Sequence, residues 1–236
     1  MPMGRVVLVG DVVASRRFRD ERALVEGLAA AVDRVNAAVG PHHPLQLVVR
    51  DEFHGRFDDL HSALEATLRL RLATDDLVLA TDTEDEAVDV RVGLGIGEVL
   101  ETEAGSPAGG AWWHAHEARR EAQVLAGRPG WPPSMRTVLH GDDHALVAAV
   151  NAYLLLQDQL LARMDHRDRR ALRGLLDGER QVDIGADLGI TQPAVARRVK
   201  ERGALAIRQA LDHVRRVYDP EHEPGVDGAQ PTATPT

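Results

Sequence analysis

The sequence predicts an α+β sandwich followed by an all-α domain, and three observations support this. Short apolar, β-branched runs alternate with helical patterns up to about residue 140. Beyond Asp143 every apolar spacing is helical. Two early runs flank a short polar turn, as in a hairpin, which favours an antiparallel-rich sheet. The expected divisions are an α+β domain over 1–140, a connecting helix over 141–164, an all-α domain over 165–218 and a disordered tail over 219–236.

The elements of the first domain follow from apolar spacing in chain order. Arg5–Val9 is a β-branched run and predicts a buried strand, and Glu21–Val39 repeats apolar residues at helical spacing. Gly93, Gly95 and Gly97 are expected to break a strand pair with a bend or bulge. The other expected elements are strands Leu45–Val49 and Phe53–Phe57 around a carboxylate tip, helix Leu60–Leu72, an acidic loop Asp82–Glu86, strands Val88–Leu94 and Ile96–Leu100, helix Trp112–Leu125 and strand Met135–Leu139.

The second half is predicted to be helical throughout. Asp143–Met164 is long and apolar on one side, and Arg167–Leu176 is a shorter helix that ends before Gly178. After Gly203, an apolar stripe repeats every three or four residues and could pack within the domain or against a second subunit in a homodimer. The stripe comprises Ala204, Ile207, Leu211, Val214 and Tyr218.

Composition limits the class of protein. The chain of 236 residues has no cysteine and a formal charge of −9, so disulfides and thiolate metal sites are excluded. The first residues lack the apolar region of a signal peptide, and no apolar run is expected to be long enough to span a bilayer. We therefore expect a cytoplasmic protein without a membrane partner.

Residues 181–202 have the order of a helix-turn-helix. A short amphipathic helix ends at Gly189, where a tight turn favours a residue that tolerates positive φ. Thr191 is suited to cap a second helix, and Pro193 lies in its first turn. Val195 and Val199, four residues apart, would face the core. This pattern predicts a motif that places its second helix in the major groove of DNA.

The remaining faces of that second helix carry the residues expected to contact double-stranded DNA. Gln192 is expected to read a base, because its amide can bond N6 and N7 of adenine. Arg197 is expected at a base edge or a phosphate. The full expected set is Thr191, Gln192, Arg197, Arg198 and Lys200. The segment Asp165–Arg216 carries 12 Arg and Lys against 8 Asp and Glu, about +4, which leaves about −13 on the remainder and favours a local nucleic-acid surface.

Two carboxylates in the first domain predict a different chemistry. Asp11 ends the first strand, and Asp51 lies at the hairpin tip, with Glu52 as a candidate third member. If the strands are neighbours, these side chains converge, and converging carboxylates suit Mg²⁺ and a phosphate ligand. The alternative is that Asp11 caps a turn and Asp51 solvates the hairpin.

Four motifs together resemble the SatD family of small bacterial proteins: GDVVASR from Gly10, RDEFHGRF from Arg50, RVGLGIGEV from Arg91 and GGAWWHAHEA from Gly109. The resemblance covers Arg5 to Arg202. It implies a ferredoxin-like, nucleotide-cyclase-like sandwich followed by a helix-turn-helix. One departure is Arg50, where such hairpins often carry glycine.

The same order of strand, hairpin and glycine-rich strand is similar to class III nucleotide cyclases. That resemblance places Asp11 and Asp51 where the family holds metal ions. His114 and Ala118 stand where it implies an Asn and an Arg that stabilise the transition state, and Arg119 is one position out. The only lysine, Lys200, lies outside this domain, so the base-reading lysine of an ATP-specific cyclase has no match. We therefore expect no catalytic residues and no cyclisation, because phosphoryl transfer depends on such positioned charge.

Two hypotheses follow from the sequence. The first is a DNA-binding transcriptional regulator whose degenerate cyclase-like domain senses a signal, such as a nucleotide effector, or dimerises, with no required cofactor. The second is a metal-dependent nucleotide-binding or nucleotide-processing protein whose helical C-terminus mediates assembly. A pure scaffold that dimerises through the Ala204–Tyr218 stripe is a third alternative.

Overall fold

The computed structural model describes residues 5–41, 43–101 and 107–219. The chain divides into two units between Ala162 and Arg163. The strands are β1 (Arg5–Val12), β2 (His43–Val49), β3 (Glu52–Phe57), β4 (Val78–Ala80), β5 (Asp85–Ala87), β6 (Val90–Gly97), β7 (Leu100–Glu101), β8 (Pro107–Ala108) and β9 (Thr137–His140). The helices are α1 (Glu21–Val39), α2 (Leu60–Asp75), α3 (Gly110–Gly127), α4 (His144–Arg163), α5 (His166–Leu176), α6 (Gln181–Leu188), α7 (Gln192–Glu201) and α8 (Ala204–Tyr218).

The first unit is built on a five-stranded mixed sheet in the order β2-β3-β1-β6-β9. All pairings are antiparallel except β6 with β9. Helices α1 and α2 pack together, and α3 packs on β6, β1 and β9. This is the mixed α+β architecture that the sequence predicts, and α1 has the predicted bounds. The acidic loop expected at Asp82–Glu86 was partly wrong, because Asp85 and Glu86 belong to β5, which pairs with β4.

The glycine-rich segment forms one strand and not two. β6 runs through Gly93 and Gly95 in continuous register with β1, so the expected bend or bulge was wrong. Both glycines lie under α3: a Cβ on Gly93 would stand 2.1 Å from the backbone oxygen of Ala115, and one on Gly95 would stand 2.1 Å from that of Ala111. The alternating glycines therefore let α3 approach the sheet more closely than any side chain would allow.

Each edge of the sheet is closed by an asparagine side chain. On β2, the Asn36 amide donates to the oxygen of Leu45 at 2.9 Å and accepts from its N–H at 2.8 Å. On β9, Asn151 makes the same pair of bonds to Leu139, at 2.9 and 2.8 Å. The chain contains no other asparagine. Each amide satisfies backbone groups that an edge strand would otherwise leave open to another strand.

Helix α4 is long and apolar enough to cross a bilayer by length and composition alone, with a mean hydropathy of 1.4, contrary to the sequence expectation. It is nevertheless held on the sheet by polar contacts. The fully buried Asp158 accepts the backbone N–H of Arg136 at 2.7 Å and of Thr137 at 2.9 Å, and it pairs with Arg71. With Asn151, these bonds make α4 a packed helix of the first unit, where the sequence expected a connector.

The second unit consists of α5 to α8. Helix α5 begins with a capping box in which Asp165 accepts the N–H of Asp168. The core is formed by buried residues from all four helices, and α8 packs on α5 and α7. Its largest contributors include Leu172, Ile184, Val195, Val199, Ile207 and Leu211. The tail expected over 219–236 lies outside the described residues from Pro220 onward.

Candidate nucleic-acid interface and the carboxylates of the sheet

Helices α6 and α7 are joined by a turn at Gly189. Gly189 adopts a left-handed conformation with φ of 63°, as its position in the sequence predicts. The N–H of Ile190 donates to the oxygen of Gly185 at 2.9 Å. A Cβ on Gly185 would lie only 2.8 Å from the oxygen of Ile190, so glycine is needed where the turn crosses α6. The turn is thereby fixed by backbone contacts.

Helix α7 has a buried face and an exposed face. Val195 and Val199 are buried, whereas Arg197 and Lys200 are exposed. At 100° per residue, Arg197 lies opposite the buried pair. No ion pair joins Arg197 or Lys200 to another residue within the described ranges. Both cations are therefore available to a ligand.

The two polar residues that begin α7 are also exposed. Thr191 occupies the N-cap position, but its side chain makes no capping hydrogen bond. The Gln192 amide donates to the side-chain oxygen of Gln181 at a weak 3.3 Å. Both side chains can exchange these arrangements for contacts to a ligand at little cost.

Arg198 differs from its neighbours because it forms ion pairs within the second unit. Its guanidinium binds Asp165 at 3.0 Å and Asp168 at 2.5 Å, and the Asp168 side chain is only 3% exposed. The bond to Asp168, more than that to Asp165, raises the pKa of Arg198. The pKa of Asp165 is lowered: burial opposes the shift, but the N–H of Asp168 and the Arg198 guanidinium outweigh it. Arg198 therefore ties α7 to α5, whereas the sequence suggested a contact to a DNA phosphate.

Most of the apolar stripe of α8 is buried within the second unit. Ala204, Ile207 and Leu211 are all buried, and Val214 and Tyr218 are half-buried. The sequence favoured a mixture of packing within the unit and against a second subunit, and the three buried residues account for the first. The first half of the stripe is thus used within the unit, whereas Val214 and Tyr218 keep part of their surface exposed.

Asp11 and Asp51 do lie near each other, as expected from the neighbouring strands. Asp11 pairs in register with Glu52 on one side and Arg91 on the other, and the charge of Asp51 acts on it. Its two carboxylate oxygens are already engaged: Arg91 binds one at 3.2 Å, and Arg119 binds the other. Burial raises the pKa of Asp11, and the two arginines only partly oppose this.

These residues do not fit the Mg²⁺ site that the sequence suggested. A metal ion would have to displace two guanidinium groups from Asp11, whose side chain is only 15% exposed. No group of three or more His, Asp or Glu side chains suited to a metal occurs in the part of the chain that the structure describes. Sequence reasoning missed the role of Arg91 and treated Arg119 only as a misplaced cyclase residue. The available signal was spacing: Arg119 lies four residues after the buried Ala115, and Arg91 lies two residues before Gly93, so both belong to the faces where α3 packs on β6.

A cleft of about 220 Å³ lies beside this cluster, between the start of α1 and the hairpin tip. Arg16, Arg19 and Arg50 line it together with Asp51. Arg19 pairs with Asp82 at 3.1 Å and Arg50 with Glu21 at 2.7 Å, both on the surface. Exposed surface pairs of this kind are readily exchanged for an anionic ligand.

No family model and no curated protein matches this sequence. Among solved structures, the chain is similar to the guanylyl cyclase domain of the RhoGC fusion protein from the aquatic fungus Blastocladiella emersonii, at 16% identity over 50% of this chain and 75% of that one, with a TM-score of 0.40. It is similar to the GGDEF domain of DgcB from Caulobacter crescentus, at 17% identity over 58% and 78%, with a TM-score of 0.40. It also resembles the diguanylate cyclase SiaD from Pseudomonas aeruginosa, at 20% identity and a TM-score of 0.43, over 58% of this chain but only half of that one. At such TM-scores the likeness carries no conclusion about ligand or activity.

Proposed function

We propose that the second unit binds double-stranded DNA through α7 and that the protein is a transcriptional regulator of the SatD type. The observation that supports this is that α7 uses some of its residues for packing within the unit and leaves others exposed. Val195, Val199 and Arg198 fix the helix within the unit, while Arg197 and Lys200 remain exposed and unpaired. A rigid helix with a free basic face is what groove recognition requires.

The individual contacts follow from side-chain chemistry. Gln192, at the start of α7, reads adenine through its amide. Arg197 reaches a base edge or a phosphate, and Lys200 and the Thr191 hydroxyl bind phosphates. Arg198 is a positioning residue, because it acts through Asp165 and Asp168.

Fluorescence anisotropy with the full chain and genomic duplex fragments, measured over a range of salt concentrations, tests this proposal. Arg197→Ala is expected to weaken specific binding by about 1–3 kcal/mol. Lys200→Ala is expected to weaken all duplexes alike and to lower the salt slope by about 1. The matched control is Arg215→Ala, which removes an exposed arginine from α8 and should leave binding unchanged. Equal losses in all three variants, or no binding by the folded protein at low salt, would refute the proposal.

The first unit is proposed to sense a nucleotide or related phosphate without a metal. In the cleft, Arg16, Arg19 and Arg50 outnumber the carboxylates Glu21 and Asp51, which favours an anionic ligand. The arginine-bound Asp11 disfavours Mg²⁺. Calorimetry with a panel of nucleotides, carried out once with Mg²⁺ and once with a chelator, distinguishes metal-free binding from Mg²⁺-dependent binding. We expect equal heats in both conditions and a loss with Arg16→Gln. Binding that requires Mg²⁺ and disappears with Asp11→Asn would restore the metal-dependent alternative.

A further inference from the structure

Helix α4 has an exposed face without charge. Its exposed residues between the terminal His144 and Arg163 are alanines and one leucine: Ala145, Ala148, Ala149, Ala152, Leu156 and Ala162. Leu156 is 64% exposed. Surface helices ordinarily present charged and polar residues to water, so such a face calls for a partner.

The orientation of this face is fixed by the opposite side of the helix. Asn151 and Asp158 bind the edge strand β9, and Leu154 is fully buried. Insertion of α4 into a bilayer would break the Arg71–Asp158 pair and leave a buried charge without a partner, which is strongly unfavourable. The face is therefore offered to a soluble partner.

We propose that the partner is a second copy of this chain, with the two α4 helices packed antiparallel about a two-fold axis near Ala152. In that arrangement Ala148 lies opposite the partner's Leu156, so a small residue receives a large one on each side of the axis. The small side chains allow the two helices to approach closely.

Charge at the helix ends agrees with this pairing. Asp142 precedes α4; its side chain is 95% exposed and lies 3.7 Å from Nε2 of His114. Arg163, also exposed, ends the helix. Antiparallel pairing brings the Asp142 end of one helix to the Arg163 end of the other, twice in the dimer, and it also aligns the helix dipoles favourably. Parallel pairing would instead place like charges together.

The surface continues beyond the helix. Gln159 of α4 contacts Ser134, so the loop that carries the partly exposed Trp131 adjoins the same helix. A tryptophan at the border of an apolar face is typical of protein interfaces. It also provides a fluorescence probe of assembly.

Sedimentation velocity of the full chain across the micromolar range tests the proposal, and no DNA is needed. The wild type is expected to dimerise, and Ala152→Arg to raise the dimer dissociation constant at least about tenfold, because it places like charges on the axis. Ala38→Arg is the matched control, at an exposed alanine of α1. A monomer at every concentration would overturn the proposal, and so would equal effects of the two variants. Vesicle binding lost only in Ala152→Arg would assign the face to lipid.

Two further variants test the register. Asp142→Arg and Arg163→Asp should each weaken the dimer, and the double variant should recover it because both ends are then reversed together. Since the chain has no cysteine, Ala152→Cys should be cross-linked into a dimer by a short bis-maleimide, whereas Ala38→Cys should not. A double variant weaker than either single one would contradict antiparallel pairing. These readouts are independent of DNA, so the dimer and the DNA-binding proposal can fail separately.

Discussion

The asparagine pair that closes the sheet yields the most direct test of the fold. Replacing Asn151 by alanine removes two hydrogen bonds and leaves the N–H and oxygen of Leu139 without their protein partner. Each such bond contributes about 0.5–1.5 kcal/mol, so the loss is about 1–3 kcal/mol. Alanine returns about 0.6 kcal/mol through its higher helix propensity. The net expectation is a destabilisation of about 0.4–2.4 kcal/mol, and the same reasoning applies to Asn36 and Leu45.

Tryptophan fluorescence during urea unfolding measures this effect selectively. The three tryptophans, Trp112, Trp113 and Trp131, all lie in the first unit. Because the two asparagines close opposite edges of the sheet, the double alanine variant should show the sum of the single losses. Gln123→Ala removes an exposed amide from α3 and serves as the control. If both asparagine variants unfold like this control, the edge amides contribute nothing and the reasoning is wrong.

Three further predictions concern single positions. Gly95→Ala should destabilise the first unit by about 1–3 kcal/mol or more, because its Cβ would collide with the backbone of α3. Gly110→Ala places its new Cβ with no atom within 4 Å, so it should be nearly neutral in the same urea titration. Arg50 has a φ of 43°, a left-handed conformation that glycine adopts without strain. Arg50→Gly should therefore stabilise the hairpin by up to about 1 kcal/mol, despite the loss of an exposed ion pair. A lower urea midpoint would contradict this. The lowered pKa of Asp165 means that its ionised form stabilises the second unit above about pH 3.8, its unfolded value, and that this contribution is lost as the pH falls through the lower folded pKa. Asp165→Asn, which can still cap α5, should remove that part of the pH dependence in circular-dichroism melts, with an effect below about 1 kcal/mol because the pair is partly exposed.

The sequence predicted elements well where the signal is local. The bounds of α1 and the left-handed turn at Gly189 follow from apolar spacing and from the conformational freedom of glycine, both of which act over a few residues. The glycines of β6 were misread for the opposite reason. These glycines allow α3, which comes later in the chain, to pack closely on the strand. Residue spacing within the strand does not indicate this contact.

The candidate sites show the same division. The buried and exposed faces of α7 could be predicted because they depend on helical periodicity alone. That Arg198 would turn to Asp168, and Asp11 to Arg119, could not be predicted, because these partners stand 30 and 108 residues apart in the chain. The sequence does not distinguish an arginine that stays exposed from one that forms an ion pair with a distant residue.

Local sequence patterns were enough to predict an α+β unit followed by a helical one, the turn between α6 and α7, and the basic face that begins at Gln192. The folded chain was needed to find which charges pair internally, that asparagine amides bind both edge strands, and that α4 exposes a face without charge. The difference lies in the range over which the interactions act. Periodicity and turn preference act between neighbours, whereas the partner of a charge or of an open backbone group is fixed by where distant segments meet.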